Sequence, residues 1–147
     1  MRWGWKGICR RWRNLLAGSC QAVHLISPGE VNQNEKKLTQ AVVQITQLLG
    51  MYHAETARIL RINCSDVAEL FEAKSCLKKN TLHWLQAEKL VEFYYRLYKQ
   101  CDGDETCMVH WLRKQNKKIN AIPLYAMVDE LRIDDVLNRA FDADGSV

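Results

Sequence analysis

Apolar residues recur at intervals of three and four along most of the chain, which is the period of an amphipathic α-helix. The first regular segment begins near Glu35, and Gly50 follows it in the position of a C-terminal cap. Its apolar positions at helical spacing are Leu38, Val42, Ile45 and Leu49. The pattern therefore predicts a helix that ends at this glycine.

The same spacing predicts further helices along the rest of the chain. Asn63 or Ser65 is suited to cap one of them, Thr81 to cap the longest, and Pro123 to occupy a first helical turn. In the longest helix we expect Leu82, Leu85, the stem of Lys89 and Leu97 to face inward, with either Val91 or Phe93. The predicted helical ranges are 54–60, 63–71, 81–99, 105–113, 123–131 and 134–141.

Two prolines and seven glycines leave too few turn residues for a β-sandwich or a β-barrel, so we predict an all-α fold. A chain of 147 residues with 48% hydrophobic and 26% charged residues is typical of a globular protein. The longest apolar run is far below the roughly 20 residues of a membrane span. The predicted order is an N-terminal extension (1–29), a helix-turn-helix-like bundle (30–80), a long connecting helix (81–100) and a small helical C-terminal domain (101–147).

The excess positive charge lies in the extension. Residues 1–29 carry five basic and no acidic side chains, whereas residues 30–147 carry 16 basic and 17 acidic ones. The extension also contains Trp3, Trp5 and Trp12. We expect it to be flexible; the alternative is a basic amphipathic helix on an anionic membrane surface. The net charge of residues 30–147 does not favour nucleic-acid binding, so any such binding would require a local patch of basic side chains.

Six cysteines are compatible with a disulfide framework, a metal site or reduced thiols. Cys101, Cys107 and His110 form a C-x5-C-x2-H cluster, which lacks the fourth ligand and the tighter spacing of structural zinc sites. We therefore expect six reduced thiols in a cytoplasmic protein, with no metal and no cofactor.

Residues 53–70 fit a helix-turn-helix. Such a motif needs a small residue where the helices cross and apolar anchors in the second helix. Arg61 stands where the turn usually has glycine, so a positive φ is expected there. The residues that fit the packing pattern are Ala57, Ile62, Val67 and Leu70.

The second helix of this motif has an acidic surface, with Asp66, Glu69 and Glu72. Base readout usually employs Arg, Lys, Asn or Gln, so any DNA contact is expected from flanking cations on phosphates. The alternative is a scaffold that only packs or dimerises. The candidate phosphate contacts are Arg58, Arg61, Lys74, Lys78 and Lys79.

The C-terminal half contains an ordered series of motifs. The pair Trp111-Leu112 is followed by Asn116, Ile119, the pair Pro123-Leu124, Met127, Val136 and finally Gly145. In this order and spacing, residues 35–147 resemble the Xre/MbcA/ParS antitoxin family, whose toxin-binding domain follows a helix-turn-helix-like region.

The resemblance implies an antitoxin that binds a RES-domain toxin, an enzyme that consumes NAD or uses it to modify a protein. It also implies operator binding in many members, and we expect a homo-oligomer. From the residues alone, we expect a structural role in the core for Trp111, Leu112, Pro123, Leu124, Met127 and Val136. The expected toxin contacts are Asn138, Arg139, Asp142 and Gly145.

Catalytic signatures are missing from the sequence, which contains no Ser-His-Asp or Cys-His pattern and no phosphate-binding glycine loop. The carboxylates of Asp129, Glu130, Asp134 and Asp135 are expected to be solvated, with Asp134 as an N-cap. We therefore expect no enzymatic activity. The two alternatives to an antitoxin are a helix-turn-helix transcriptional regulator without a toxin partner and a peripheral membrane protein anchored by residues 1–29.

Overall fold

The computed structural model describes residues 28–141, and every element in this range is helical apart from one isolated β-bridge. The predicted all-α class is therefore confirmed. The basic extension up to residue 27 and the candidate contacts Asp142 and Gly145 lie outside the described residues. Within residues 28–141, no helix is both long and apolar enough to cross a membrane.

Eight helices follow one another along the described chain. They are α1 (Pro28–Val31), α2 (Glu35–Leu48), α3 (His53–Leu60), α4 (Cys64–Phe71), α5 (Leu82–Gln100), α6 (Glu105–Arg113), α7 (Pro123–Val128) and α8 (Ile133–Asp135). A wider π-helical turn, Val136–Ala140, continues α8 to the end of the described chain.

Local side chains account for several helix boundaries. The Asn34 side chain accepts hydrogen bonds from the first turn of α2, and that of Asp104 does the same for α6. Thr81 Oγ1 accepts from Trp84 N at 3.3 Å, which confirms the predicted cap of α5. Gly50 has φ 66° just beyond α2, where a left-handed residue ends the helix. Pro123 begins α7, where its missing N–H is not needed.

Helix α5 is the longest element, and it packs against α1, α2, α3 and α8. The prediction that Leu82 and Leu85 face inward is wrong, because these side chains are 51% and 53% exposed. The buried face of α5 begins instead at Trp84. In the first two turns of the helix, it is therefore rotated away from the predicted face. Its buried members are Trp84, Gln86, Ala87, Leu90, Val91, Phe93, Tyr94 and Leu97.

The C-terminal helices are shorter than their apolar spacing predicts. Helix α7 ends at Val128, and a residue with positive φ, Leu131, separates it from α8. The prediction that Asp134 caps the last helix is wrong, because Arg132 occupies the N-cap and Asp134 lies inside the helix. From there its carboxylate binds Lys89 Nζ at 3.0 Å.

One continuous apolar core joins these elements, from Leu38 in α2 to Ala140 in the π-helical turn. An aromatic cluster lies at its C-terminal end. The Trp111 and Phe141 rings stack with centroids 4.8 Å apart, and Phe93 contacts both rings at 5.6–6.0 Å. The last described residue thus packs against α5 and α6.

A disulfide joins Cys101 to Cys107, so the expectation of six reduced thiols is wrong for this pair. The turn between α5 and α6 reverses the chain and brings the two Cα atoms to 5.7 Å, within the range that a disulfide spans. Cys64 and Cys76 are free thiols.

Candidate functional site

The turn between α3 and α4 is tight. Arg61 has φ 61° and ψ 45°. This is the left-handed conformation expected for a residue that stands where such a turn usually has glycine. Ile62 N then donates to Ala57 O at 3.0 Å, which closes the end of α3. Ala57, Val67 and Leu70 are buried, and Ile62 packs against the core. The four residues singled out for helix packing therefore lie at or against the interior.

The outer surface of α4 is acidic. Ser65, Asp66 and Glu69 are exposed on the helix, and Glu72 is exposed directly after it. Carboxylates repel the phosphates of a duplex and lack the donors that read guanine and adenine edges. This surface is therefore poorly suited to enter a DNA groove.

Three of the five candidate phosphate-binding cations have intramolecular partners. Arg58 Nε donates to Val128 O at 3.1 Å and lies 3.9 Å from the Asp129 carboxylate. Lys74 pairs with Glu72 at 3.0 Å. Lys79 Nζ donates to Gln33 O at 2.9 Å.

The other two cations, Arg61 and Lys78, are exposed. Within residues 28–141, neither side chain makes a hydrogen bond or an ion pair. The structure thus leaves two cations beside an acidic helix.

The final helical segment, which we define as residues 133–140 (α8 and the π-helical turn), contains two of the four candidate toxin contacts. Val136 and Ala140 are buried, whereas Asn138 and Arg139 are exposed between them. Arg139 Nη1 donates to Asp135 Oδ1 at 3.2 Å, and Nη2 donates to Lys118 O at 3.4 Å. The exposed side of this segment is therefore polar and carries a forked cation.

Arg132 fixes the start of this segment. Its guanidinium pairs with Asp135 and, at 2.9 Å, with Glu130, and it donates to Ile119 O at 3.3 Å. The hydrogen bond from Arg132 holds the pKa of Asp135 below its ordinary value, and Arg139 adds to this effect. The hydrogen bonds that Arg132 donates to the carboxylates of Asp135 and Glu130 raise the pKa of Arg132. These charged contacts join the last helix to the segment before α7.

The other residues of the resemblance line the interior. Leu112, Pro123, Leu124 and Val136 are buried, and Trp111 is half-buried against Phe141. Trp111 therefore supports the docking of the chain's last described residue.

The four carboxylates after α7, which the sequence predicts to be solvated, each have a cationic partner. Asp129 lies against Arg58, Glu130 pairs with Arg132, Asp134 with Lys89, and Asp135 with Arg132 and Arg139. Their arrangement is that of structural ion pairs. Within the described part of the chain, no three His, Cys, Asp or Glu side chains are grouped to hold a metal ion.

Sequence reasoning missed the arginines that bind distant backbone carbonyls. Arg113 Nη2 donates to Gly50 O at 2.9 Å, across 63 positions of the chain, and Arg58 and Arg132 act similarly. No local pattern marks such contacts.

No protein-family model matches the chain, and no curated protein matches it with significance.

Proposed function

We propose that this protein is an antitoxin of a toxin–antitoxin pair, which neutralises a RES-domain toxin by binding it directly. Such a toxin consumes NAD or uses it to modify a protein. The resemblance of residues 35–147 to the Xre/MbcA/ParS family suggests the partner. The exposed side of the final helical segment suggests the place of contact.

The observation that carries the proposal is the division of the final segment into two sides. Val136 and Ala140 anchor it in the core, while Asn138 and Arg139 face solvent on a backbone fixed by Arg132. A prearranged surface loses little conformational entropy when it binds. Arg139 is 61% exposed, and the guanidinium N–H groups that do not donate to Asp135 or to Lys118 O are suited to carboxylates or carbonyls of a partner.

A second candidate is a helix-turn-helix transcriptional regulator without a toxin partner. The left-handed turn at Arg61 favours it, because a tight turn between two short helices is a feature of that motif. The acidic surface of α4 and the intramolecular pairing of Arg58, Lys74 and Lys79 oppose it. We therefore place operator binding second to toxin binding.

The proposal places the protein in the cytoplasm, because a toxin that acts on the cellular NAD pool is neutralised there. Cytoplasmic reductants keep most thiols reduced, so the Cys101–Cys107 bond would open in that compartment. We also propose that the protein forms a homo-oligomer.

Co-expression tests the proposal. The full chain is produced with the product of the neighbouring gene, and growth, cellular NAD and co-purification are measured. We expect the neighbour alone to stop growth and deplete NAD, and this chain to restore both while co-purifying with it. A harmless neighbour, or a toxic one that neither co-purifies nor is neutralised, would overturn the proposal.

A further inference from the structure

The two cysteines of the disulfide differ in exposure. Cys101 follows α5 as its C-cap residue, is 6% exposed and belongs to the apolar core. Cys107 lies in the first turn of α6 and is exposed. In thiol–disulfide exchange, a thiolate attacks one of the two sulfur atoms, and the attack requires access to that sulfur. A small thiol in solution therefore reaches Cys107 rather than Cys101.

The turn between the two cysteines is held by hydrogen bonds that do not involve sulfur. Gly103 N donates to Tyr98 O at 2.9 Å. Asp104 N donates to Cys101 O at 3.0 Å. The Asp104 carboxylate caps α6 and accepts from Cys107 N at 3.4 Å. Because none of these bonds uses a sulfur atom, opening the disulfide leaves them in place.

Gly103 packs this turn directly on α5. Its φ is 75°, a conformation that residues with a side chain rarely adopt, and a Cβ atom here would lie 2.9 Å from the Tyr98 ring. The turn keeps the Cα atoms of Cys101 and Cys107 5.7 Å apart. This distance lies in the range that a disulfide spans, so the reduced sulfurs can meet again without a movement of the backbone.

We propose that Cys107 is a site of exchange with low-molecular-weight thiols and that Cys101 is its resolving cysteine. The thiolate of the small thiol attacks Sγ of Cys107 and forms a mixed disulfide there. The bond between the two Sγ atoms breaks, and Cys101 leaves as a thiolate that takes a proton from solvent. A second small thiol attacks the small-molecule sulfur of the mixed disulfide and releases Cys107. The two small thiols thus lose the two electrons that the protein disulfide gains.

The same steps run in reverse with a low-molecular-weight disulfide. The Cys107 thiolate attacks it, forms the mixed disulfide and releases one small thiol. Cys101 then attacks Sγ of Cys107, closes the protein disulfide and releases the second small thiol. This closure is intramolecular and the turn keeps its partners together, so it outpaces a second attack from solution. The exchange requires no toxin, so its test is independent of the proposed function.

The first experiment uses the full chain with glutathione as the small thiol. The oxidised protein is mixed with reduced glutathione, quenched with acid after short intervals and digested without reduction. Fragment-ion mass spectrometry then locates the adduct. We expect the transient glutathione adduct on Cys107 and a free thiol at Cys101. A disulfide that glutathione does not open, or an adduct found equally on both cysteines or mainly on Cys101, would overturn the proposal.

Two variants separate the roles of the two cysteines. Cys101→Ala leaves Cys107 without a resolving cysteine, and Cys107→Ala leaves the buried Cys101 alone. After treatment with glutathione disulfide, Cys107 in the first variant should carry at least about tenfold more adduct than Cys101 in the second, because access controls the reaction. In denaturing urea the difference should vanish. Equal adduct levels in variants that thermal melts show to be folded would contradict the assignment.

Gly103→Ala tests the role of the turn. The added Cβ meets the Tyr98 ring, so ring closure should slow and the mixed disulfide on Cys107 should persist about threefold to tenfold longer after treatment with glutathione disulfide. Gly29→Ala is the matched control, because nothing lies within 4 Å of a Cβ at that position. It should behave like the parent. A lifetime in Gly103→Ala equal to that of the parent would overturn the inference that the turn positions the resolving cysteine.

Discussion

Arg58 Nε donates a hydrogen bond to Val128 O at 3.1 Å, joining residues 70 positions apart. Val128 is the last residue of α7, so its carbonyl has no partner within that helix. The arginine therefore links α3 to the C-terminal helices. This position serves the cohesion of the fold, whereas the sequence suggested a phosphate contact.

Replacing Arg58 by Ala should lower the free energy of unfolding by about 1 kcal/mol, because the contact is charge-assisted but half exposed. Arg58→Lys should recover only part of this, since lysine lacks the Nε donor. Urea unfolding measures both. Lys78→Ala, at an exposed cation with no described partner, is the matched control and should change stability by less than about 0.5 kcal/mol. Equal losses for Arg58→Ala and Lys78→Ala would show that the link contributes nothing.

Trp111 is expected to support the C-terminal end through its stack on Phe141. Trp111→Ala should cost about 2 to 4 kcal/mol, slightly less than a fully buried tryptophan. Tyr125→Ala removes an aromatic side chain that is 52% exposed and should cost less than about 1 kcal/mol. Chemical unfolding compares the two variants. A Trp111→Ala loss no larger than that of Tyr125→Ala would contradict this role.

The Cys101–Cys107 bond should stabilise the oxidised protein. It closes a loop with a sequence separation of 6, for which chain entropy gives about 2 kcal/mol. A dithiol reductant should lower the free energy of unfolding by about this amount while unfolding stays cooperative, because the core around α5 is retained. Mass spectrometry after alkylation reports the bond. An unreduced sample in which both cysteines are alkylated would contradict the pairing.

Asp135 should make stability depend on acid pH. Its folded pKa lies below the ordinary value of 3.8, chiefly through the hydrogen bond from Arg132. The contribution is therefore complete above pH 3.8 and is lost as the pH falls through the lowered pKa. Urea unfolding of the parent and Asp135→Asn should show a stability difference that narrows in this acid range. If the stability difference between the parent and Asp135→Asn does not change with pH, the titration of Asp135 does not affect stability.

Helix existence was predictable from the sequence because its causes are local. The Thr81 cap, the Pro123 start and the positive φ at Arg61 each depend on one residue and its neighbours. The inward face of α5 was mispredicted at Leu82 and Leu85, because leucine is apolar whether or not a neighbouring helix covers it. Which face is covered depends on the packing of α1, α2 and α3.

The candidate site was less predictable, since its determinants join distant parts of the chain. Arg58, Arg113 and Arg132 bind carbonyls that carry no sequence signature. The C-x5-C spacing was visible, but only the turn between α5 and α6 shows that the sulfurs meet.

The proposed toxin contact is the exposed side of the final helical segment. Its most direct test measures, by titration calorimetry, the affinity of the purified cognate toxin for the double variant Asn138→Ala, Arg139→Ala. The matched control is Lys36→Ala, Lys37→Ala, an exposed pair on α2.

We expect the double variant to lose less than about 1 kcal/mol of stability, because Arg139 makes only surface contacts. Its affinity for the toxin should fall at least tenfold, while the control pair binds like the parent. A folded Asn138→Ala, Arg139→Ala protein with the parent's toxin affinity would contradict the account.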